Sequence, residues 1–324
     1  MQKQLKIWQL IQDSLQENIP VMLLYVLESN GSSPGRQGFF MAVDAQGNMQ
    51  GSIGGGIMEH KLVEMAKDKL QYNEDEASVR KQLHDKSATK NQSGMICSGE
   101  QTVFIYKIQL YESGVINQII ECLEQDKSGL LELSPTGVSF SEAKQENIFE
   151  YTFQSEADWH YRQRIGFINH LHVIGAGHCS LALCKIMSML NFYIHLYDHR
   201  PGLKTFEENN YAQQKIIVED YTQLLQVLQS DENNYIVVMT FGYRSDDIAV
   251  RTLFDKPFKY FGLLGSKKKI EKMFADYERE GISMETLQKI HAPVGLDIHS
   301  QTPEEIAVSI AAEIISVKNS VTII

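Results

Sequence analysis

The stretch 170–198 constrains the fold more than any other part of the chain. His170-Leu171-His172-Val173-Ile174 reads as a strand, Gly175-Ala176-Gly177-His178-Cys179-Ser180 as a glycine turn, and the apolar run to Leu190 as a helix. Residues 193–197 form a further strand that ends on Asp198. Strand, GxGxx-small, helix, strand and acidic residue in this order are the parts of a dinucleotide-binding βαβ unit. Asp198 follows Gly175 by roughly twenty positions, the usual distance to the acidic residue that meets a ribose. Ser180 stands where a third glycine normally permits close packing of helix on strand. Strands at 215–218, 235–239 and 260–263 alternate with helical stretches, which predicts a doubly wound parallel sheet with helices on both faces. A pocket is expected at the carboxyl ends of these strands, near Gly175, Gly177, His178 and Asp198, with NAD(P) the cofactor this pattern suits.

At 324 residues the chain is long enough for two domains. Hydrophobic content of 43% and charged content of 22% are those of an ordinary globular protein. A net charge of −11 argues against broad nucleic-acid binding. The longest apolar run, 21–27, is far too short to span a bilayer, so no membrane partner is expected. The first residues carry no signal-peptide pattern, and the four cysteines include no CxxC pair, so the expected location is cytoplasmic.

The first half reads as α+β. A helical pattern at 3–17 precedes strands at 21–27 and 39–43, the latter followed by a hairpin turn at 44–48. A helix over 58–70 carries Met58, Leu62, Met65, Ala66 and Leu70 on one face. Residues 71–92 read as a solvated helix or loop, 101–108 as a strand, 115–125 as a helix and 129–153 as weaker strands. The polar stretch 156–164 reads as the end of this half. The expected organisation is an N-terminal α+β domain, 1–160, followed by the Rossmann-like domain, 161–324.

Gly51-Ser52-Ile53-Gly54-Gly55-Gly56 runs directly into the 58–70 helix. Glycine lets backbone N–H groups turn toward a ligand, and a helix start has open donors and partial positive charge. Such a loop suits a phosphate, although no Gly-Lys-Ser/Thr closes it as in a P-loop; the plainer reading is a tight turn. Glu59, in the first helical turn, either complements the helix dipole or holds a ligand on the loop. Cys97 lies in a second small-residue turn, Ser93-Gly94-Met95-Ile96-Cys97-Ser98-Gly99. The 51–56 loop and Cys97 are expected to line one site, a phosphate taking N–H bonds from Gly54 to Ile57 while the Cys97 thiolate approaches a metal or its sulfur. Cys122 and Cys184 read as buried packing residues.

Other features are less directive. His178 reads as a helix cap or as a contact for phosphate or protons. His170 and His172 face one side of their strand, without a visible third metal ligand. Gly265-Ser266-Lys267-Lys268-Lys269 reads as a second anion site or a solvated helix start. Thr302-Pro303-Glu304-Glu305 is a capping box that opens the last helix. The helix 181–190 is apolar nearly all round, so it is expected to pack on the sheet and also on the other domain or a second copy, as in a homodimer.

Several of these pieces together resemble the xanthine dehydrogenase accessory protein family, the XdhC/CoxI proteins. In the first half they are Gly31-Ser32-Ser33-Pro34, the 51–56 loop with Glu59, and Gly94-Met95-Ile96-Cys97. In the second they are Gly175-Ala176-Gly177-His178, Asp198 with Arg200-Pro201, Gly262-Leu263-Leu264-Gly265-Ser266, and Pro293-Val294-Gly295-Leu296-Asp297 before Thr302-Pro303-Glu304-Glu305. The resemblance implies a carrier and chaperone of the molybdenum cofactor, a molybdopterin with a phosphate. Such a protein protects the cofactor, presents it for sulfuration by a cysteine desulfurase, and aids insertion into a xanthine dehydrogenase-type apo-enzyme. Two departures stand out. Ile57 occupies the position after Gly-Gly-Gly where the family often has cysteine, and Ser98 stands where it often has glycine. The rival readings are an NAD(P)-dependent oxidoreductase using Gly175, Gly177 and Asp198, and a binding or sensory protein on a relict nucleotide fold.

Overall fold

The computed structural model describes residues 2–75, 77–83, 99–143, 147–228 and 233–320, which divide into units Met1–Gly166 and Phe167–Ile324. The first unit runs α1 (Gln2–Gln16), β1 (Val21–Gly31), β2 (Phe40–Asp44), β3 (Met49–Gly51), α2 (Gly56–Gln71), β4 (Ser78–Leu83) and β5 (Gly99–Lys107). Then follow α3 (Ser113–Glu124), β6 (Ser128–Ser134), β7 (Gly137–Ser141), β8 (Phe149–Ser155) and β9 (Asp158–Gly166). β1 is central because it is apolar on both faces. Val21, Leu23, Tyr25 and Leu27 pack with α1, α3 and the aromatic residues Trp159 and Tyr161 of β9. Met22, Leu24 and Val26 pack on the other side against Met58, Leu62, Val63, Ala66 and Leu70 of α2. The antiparallel sheet has the order β3-β2-β1-β5-β4, and β7-β6-β9-β8 form a second antiparallel sheet. The hydroxyls of Tyr25 and Tyr161 both donate to Gln163 Oε1, at 2.5 and 2.8 Å, which satisfies three polar groups inside this aromatic core.

Two stretches differ from the sequence reading. Residues 78–83, expected to be a solvated helix or loop, form edge strand β4 on β5, while 84–92 lie outside the described residues. The stretch 156–164 contributes to β9. Its polar composition conceals a period of two, with Trp159, Tyr161, Gln163 and Ile165 buried. The first unit therefore runs to Gly166.

The second unit begins with β10 (Asn169–Ile174), α4 (His178–Met189), β11 (Phe192–Asp198), α5 (Lys204–Glu207), β12 (Gln214–Ile217), α6 (Leu224–Val227) and β13 (Asn234–Val238). It ends with α7 (Tyr243–Leu253), β14 (Tyr260–Leu263), α8 (Lys267–Arg279), α9 (Met284–Gln288), β15 (Ile290–His291) and α10 (Pro303–Asn319). All strands are parallel in the order β12-β11-β10-β13-β14-β15, so the order reverses between β10 and β13. This is the expected Rossmann-like sheet, with apolar cores on both faces. The apolar character of α4 has a local cause. Leu183, Cys184 and Met187 face the sheet core, and α10 of the same unit packs on the helix. The capping box forms as expected: Thr302 Oγ1 accepts from Glu305 N–H at 3.2 Å, and Glu305 Oε2 accepts from Thr302 N–H at 3.1 Å. Among the described residues no helix is long and apolar enough to cross a membrane.

Candidate functional site

In the first unit β1, β3, β5 and α2 bring three glycine-bearing segments together. Gly31 pairs with Gly99 where β1 ends and β5 begins, and Gly51 ends β3. Gly54, Gly55 and Gly56 have φ of +126°, +74° and +70°, a backbone that a side chain would strain. The segments are interlocked. A Cβ on Gly35 would fall 2.0 Å from the Ile53 carbonyl oxygen, one on Gly54 would fall 2.4 Å from Gly35 N, and one on Gly99 would fall 2.5 Å from Ser33 N. Buried Gln101 stitches them, donating from Nε2 to the Ile53 carbonyl at 3.3 Å and accepting from the Ser33 hydroxyl at 2.8 Å. Nothing in the sequence marked Gln101, because a polar residue in a strand reads as surface until its burial is known, whereas Ser33 stood within the quoted Gly31-Ser32-Ser33-Pro34 piece without a role assigned to it. Cys97 lies outside the described residues.

Glu59 closes the loop from within. Its Oε2 accepts from the Ser52 hydroxyl at 2.6 Å, from Ile53 N–H at 2.8 Å and from Gly55 N–H at 2.9 Å, while Gly54 N–H donates to Ser52 Oγ at 3.1 Å. The donors expected for a phosphate from Gly54 to Ile57 are thus divided. Those of Gly54 and Gly55 are spent on the chain itself, whereas those of Gly56 and Ile57 have no partner among the described residues. Glu59 therefore neither merely sits near the helix start nor stands free for a ligand. It is the anion that the loop already holds. Ile57 is exposed beside it.

The carboxyl edge of the second unit gathers Gly175, Gly177, His178 and Asp198. Gly175 has φ of +102°, and a Cβ there would fall 2.5 Å from the Met239 carbonyl oxygen, so the turns after β10 and β13 touch at the point where strand order reverses. Open space surrounds the corresponding position on Gly177, and His178 is exposed at the first turn of α4. Ser180 replaces the third glycine without loss because its buried hydroxyl donates to the Gly175 carbonyl. Asp198, fully buried, accepts from Ala176 N–H at 2.7 Å. Arg200 takes the rest of its capacity, with Nε at 2.9 Å, Nη2 at 2.8 Å and its own N–H at 2.9 Å. Burial pushes the Asp198 carboxyl up, but the bonds from Arg200 and Ala176 outweigh it and hold it below the usual carboxylate range. Arg200 also lies 4.9 Å above the Phe241 ring. Asp198 is thus engaged by the protein and has no oxygen to spare for a ribose.

Next to this edge a second buried carboxylate was not legible in the sequence. Asp246 accepts from Thr240 N–H at 3.0 Å and from its hydroxyl at 2.7 Å, and it pairs with Lys269. Lys269 also donates to the Leu264 carbonyl at 3.0 Å, and Ser266 caps α8, so the 265–269 turn spends its last lysine internally and leaves Lys267 and Lys268 exposed. His170 and His172 share a face as expected, but they join His195 and Tyr197. His170 Nδ1 lies 3.1 Å from His195 Nε2, His172 Nδ1 lies 3.0 Å from the Tyr197 hydroxyl, and the His172 and His195 rings stack at 4.3 Å. Burial lowers His172 to about 3 and His195 to about 4.

Comparisons with known proteins agree with this two-part organisation. Residues 14–80 match the model described as the XdhC and CoxI family, and residues 171–314 match that of the XdhC Rossmann domain. The chain is 25% identical over 308 residues to the uncharacterized protein YqeB of Escherichia coli (strain K12), covering 94% of this chain and 45% of YqeB. It is 30% identical over 162 residues to a probable xanthine dehydrogenase subunit from Bacillus subtilis (strain 168), covering 50% of this chain and 47% of that protein. It therefore spans about half the length of these curated relatives. The crystal structure described as a xanthine dehydrogenase from Bacillus halodurans shares the fold, with a TM-score of 0.72 and 21% identity over 96% of this chain and 95% of that one.

Proposed function

The chain belongs to the XdhC and CoxI family, and from that premise we propose that it is an accessory protein of a xanthine dehydrogenase-type enzyme that carries the molybdenum cofactor. In this reading the protein receives the cofactor, presents it for sulfuration by a cysteine desulfurase, and hands it to the apo-enzyme. The observation that carries the proposal is the loop 51–56, closed on Gly35 and opening α2 with the N–H groups of Gly56 and Ile57, which have no partner among the described residues.

The described residues suit the phosphate end of such a cofactor. Gly56 and Ile57 would take its oxygens at the positive end of α2, whereas a phosphate reaching for Gly55 N–H must displace Glu59. Ile57 brings no thiol to the metal end, which leaves that contact to Cys97 in our reading. When bound, the cofactor supplies the redox chemistry of the client enzyme, and this chain's residues bind and shield it. Gly55 is a poor place to test the idea, because its φ of +74° makes any substitution a test of folding as well. The direct test is to purify the protein from a host that makes the cofactor and to measure molybdenum by metal analysis and pterin by mass spectrometry. Stoichiometric recovery of both supports the proposal, and absence of both overturns it. Replacing Cys97 by alanine is expected to spare the fold and to slow activation of the client, and activation at the parent rate would remove the thiol from the mechanism.

The second unit supports one further reading. The open space at Gly177 and the turn held by Gly175 suit the phosphates of a nucleotide such as NAD(P), with Arg200 beside them. The engagement of Asp198 by Arg200 weighs against an unphosphorylated ribose. Calorimetry with NAD(H), NADP(H) and ATP tests this, and no heat with any of them rejects it.

A further inference from the structure

At the amino ends of β14 and β15, away from the glycine turns, the second unit holds a cavity of about 610 Å³. That volume falls within the roughly 300–1,000 Å³ of small-molecule sites. Its lining carries three lysines, Lys256, Lys259 and Lys289, against one acidic residue, Asp255. This reverses the sign of a chain whose net charge is −11. Lys289 approaches Glu285 at 3.7 Å with both side chains largely exposed, a weak pair, and no ion pair among the described residues engages Lys256 or Lys259.

One wall is built around His291. Its Nδ1 lies 3.2 Å from Glu313 Oε1, and Glu313 also accepts from the Tyr260 hydroxyl and from Gly295 N–H at 2.8 Å. A carboxylate can only accept here, so in the neutral imidazole the proton sits on Nδ1 and Nε2 is left as an acceptor for a ligand hydroxyl or ring N–H. The His291 ring packs on Tyr260 at 4.5 Å with a tilt of 31°, and it stays about a third exposed, at 36%. Half-buried Phe258, edge-on to Phe261 at 5.9 Å, supplies a second aromatic surface in the lining.

We propose that this cavity is a second ligand site, for a small ring-bearing phosphate of mononucleotide size. The ring extends the Tyr260–His291 stack, His291 Nε2 accepts from a ligand hydroxyl or ring N–H, and the phosphate meets Lys256 and Lys259. The site is separate from the glycine turn at Gly175 and from the cofactor reading of the first unit.

Calorimetry on the full chain with AMP, GMP, CMP and UMP, and with adenosine and inorganic phosphate as controls, tests the proposal. At least one mononucleotide is expected to bind at least tenfold more tightly than either control. The Lys256→Ala/Lys259→Ala variant changes one partly buried and one exposed position and is expected to keep the fold, which far-UV circular dichroism verifies; it should weaken that binding at least tenfold. His291→Phe keeps an aromatic ring but removes Nε2 together with the Nδ1 bond to Glu313, and should cost a smaller factor. The proposal is overturned if no mononucleotide binds, if inorganic phosphate binds as tightly, or if binding survives the double lysine variant, as it would at the Gly175 turn.

Discussion

Replacing Glu59 perturbs one atom that organises a whole loop. Glu59 Oε2 receives the Ser52 hydroxyl and the N–H groups of Ile53 and Gly55. In Glu59→Ala the Ile53 donor suffers most, because Ile53 is fully buried and water reaches it poorly. An unsatisfied buried donor costs about 2 kcal/mol, and the more accessible bonds to Gly55 and Ser52 add about 1 kcal/mol between them once water replaces the carboxylate. The expected loss is therefore about 3 kcal/mol, while Glu59→Gln keeps an acceptor, gives up the charge and loses about 1 kcal/mol. Both tryptophans, Trp8 and Trp159, are buried in the first unit, so their emission follows the unfolding of that unit alone. With a urea m-value of about 2 kcal/mol/M, the alanine variant should lose about 1.5 M from its midpoint. Amide exchange at Ile53 and Gly55 should accelerate in parallel. A Glu59→Ala protein that unfolds at the parental midpoint would refute the claim that this carboxylate holds the loop.

Other consequences follow from buried groups of the second unit. Because His172 and His195 stay neutral down to about 3 and about 4, the unfolded chain binds protons that the folded chain refuses. Stability of this unit should therefore fall as pH drops from about 6.5 toward 4, by at most about 1.4 kcal/mol per pH unit for each histidine. Urea midpoints by far-UV circular dichroism between pH 7 and 4.5 check the slope, which His172→Phe should reduce; an unchanged slope in that variant would count against the assignment. Cys184, fully buried with its thiol pushed up to about 12, should resist iodoacetamide in the folded protein and react only on unfolding, as read by peptide mass spectrometry.

The features that were legible share a local cause. The βαβ unit is written in one contiguous stretch, 170–198, and the capping box in four residues, so neither needs knowledge of distant contacts. Strand β4 was not legible because Ser78-Val79-Arg80-Lys81-Gln82-Leu83 lies at a sheet edge, where pairing with β5 rather than apolar alternation makes the strand. The site was half legible for a similar reason. Glycine positions announce an unusual backbone, which the positive φ angles of Gly54, Gly55, Gly56 and Gly175 bear out. What the glycine turns do with their N–H groups depends on side chains that fold back onto them. Glu59 returns from the next helical turn, and Asp198 arrives from a neighbouring strand with Arg200 attached. Gln101, which joins three segments, gives no sign of burial in its own sequence neighbourhood.

Both glycine turns thus hold an internal carboxylate where an anionic ligand would be expected, and this has a testable consequence of opposite sign for stability and for binding. In the first unit Glu59 competes for Gly55 N–H, and in the second Asp198 occupies Ala176 N–H and neutralises Arg200. Neutral variants, Glu59→Gln and Asp198→Asn, should lower the stability of their own units. Each should nevertheless raise the affinity of its turn for phosphate or pyrophosphate, since a like charge is removed and, at Asp198, a guanidinium is released. Removing one unit charge a few ångströms from the ligand corresponds to roughly a tenfold gain, about 1.4 kcal/mol. Thermal unfolding against increasing pyrophosphate reads both effects at once. The variants should start at a lower midpoint and gain more from the ligand than the parent does. Equal gains in parent and variant would mean that the carboxylates are structural ties and that anions bind elsewhere, and a smaller gain would mean that the carboxylates shape the very donors the ligand uses.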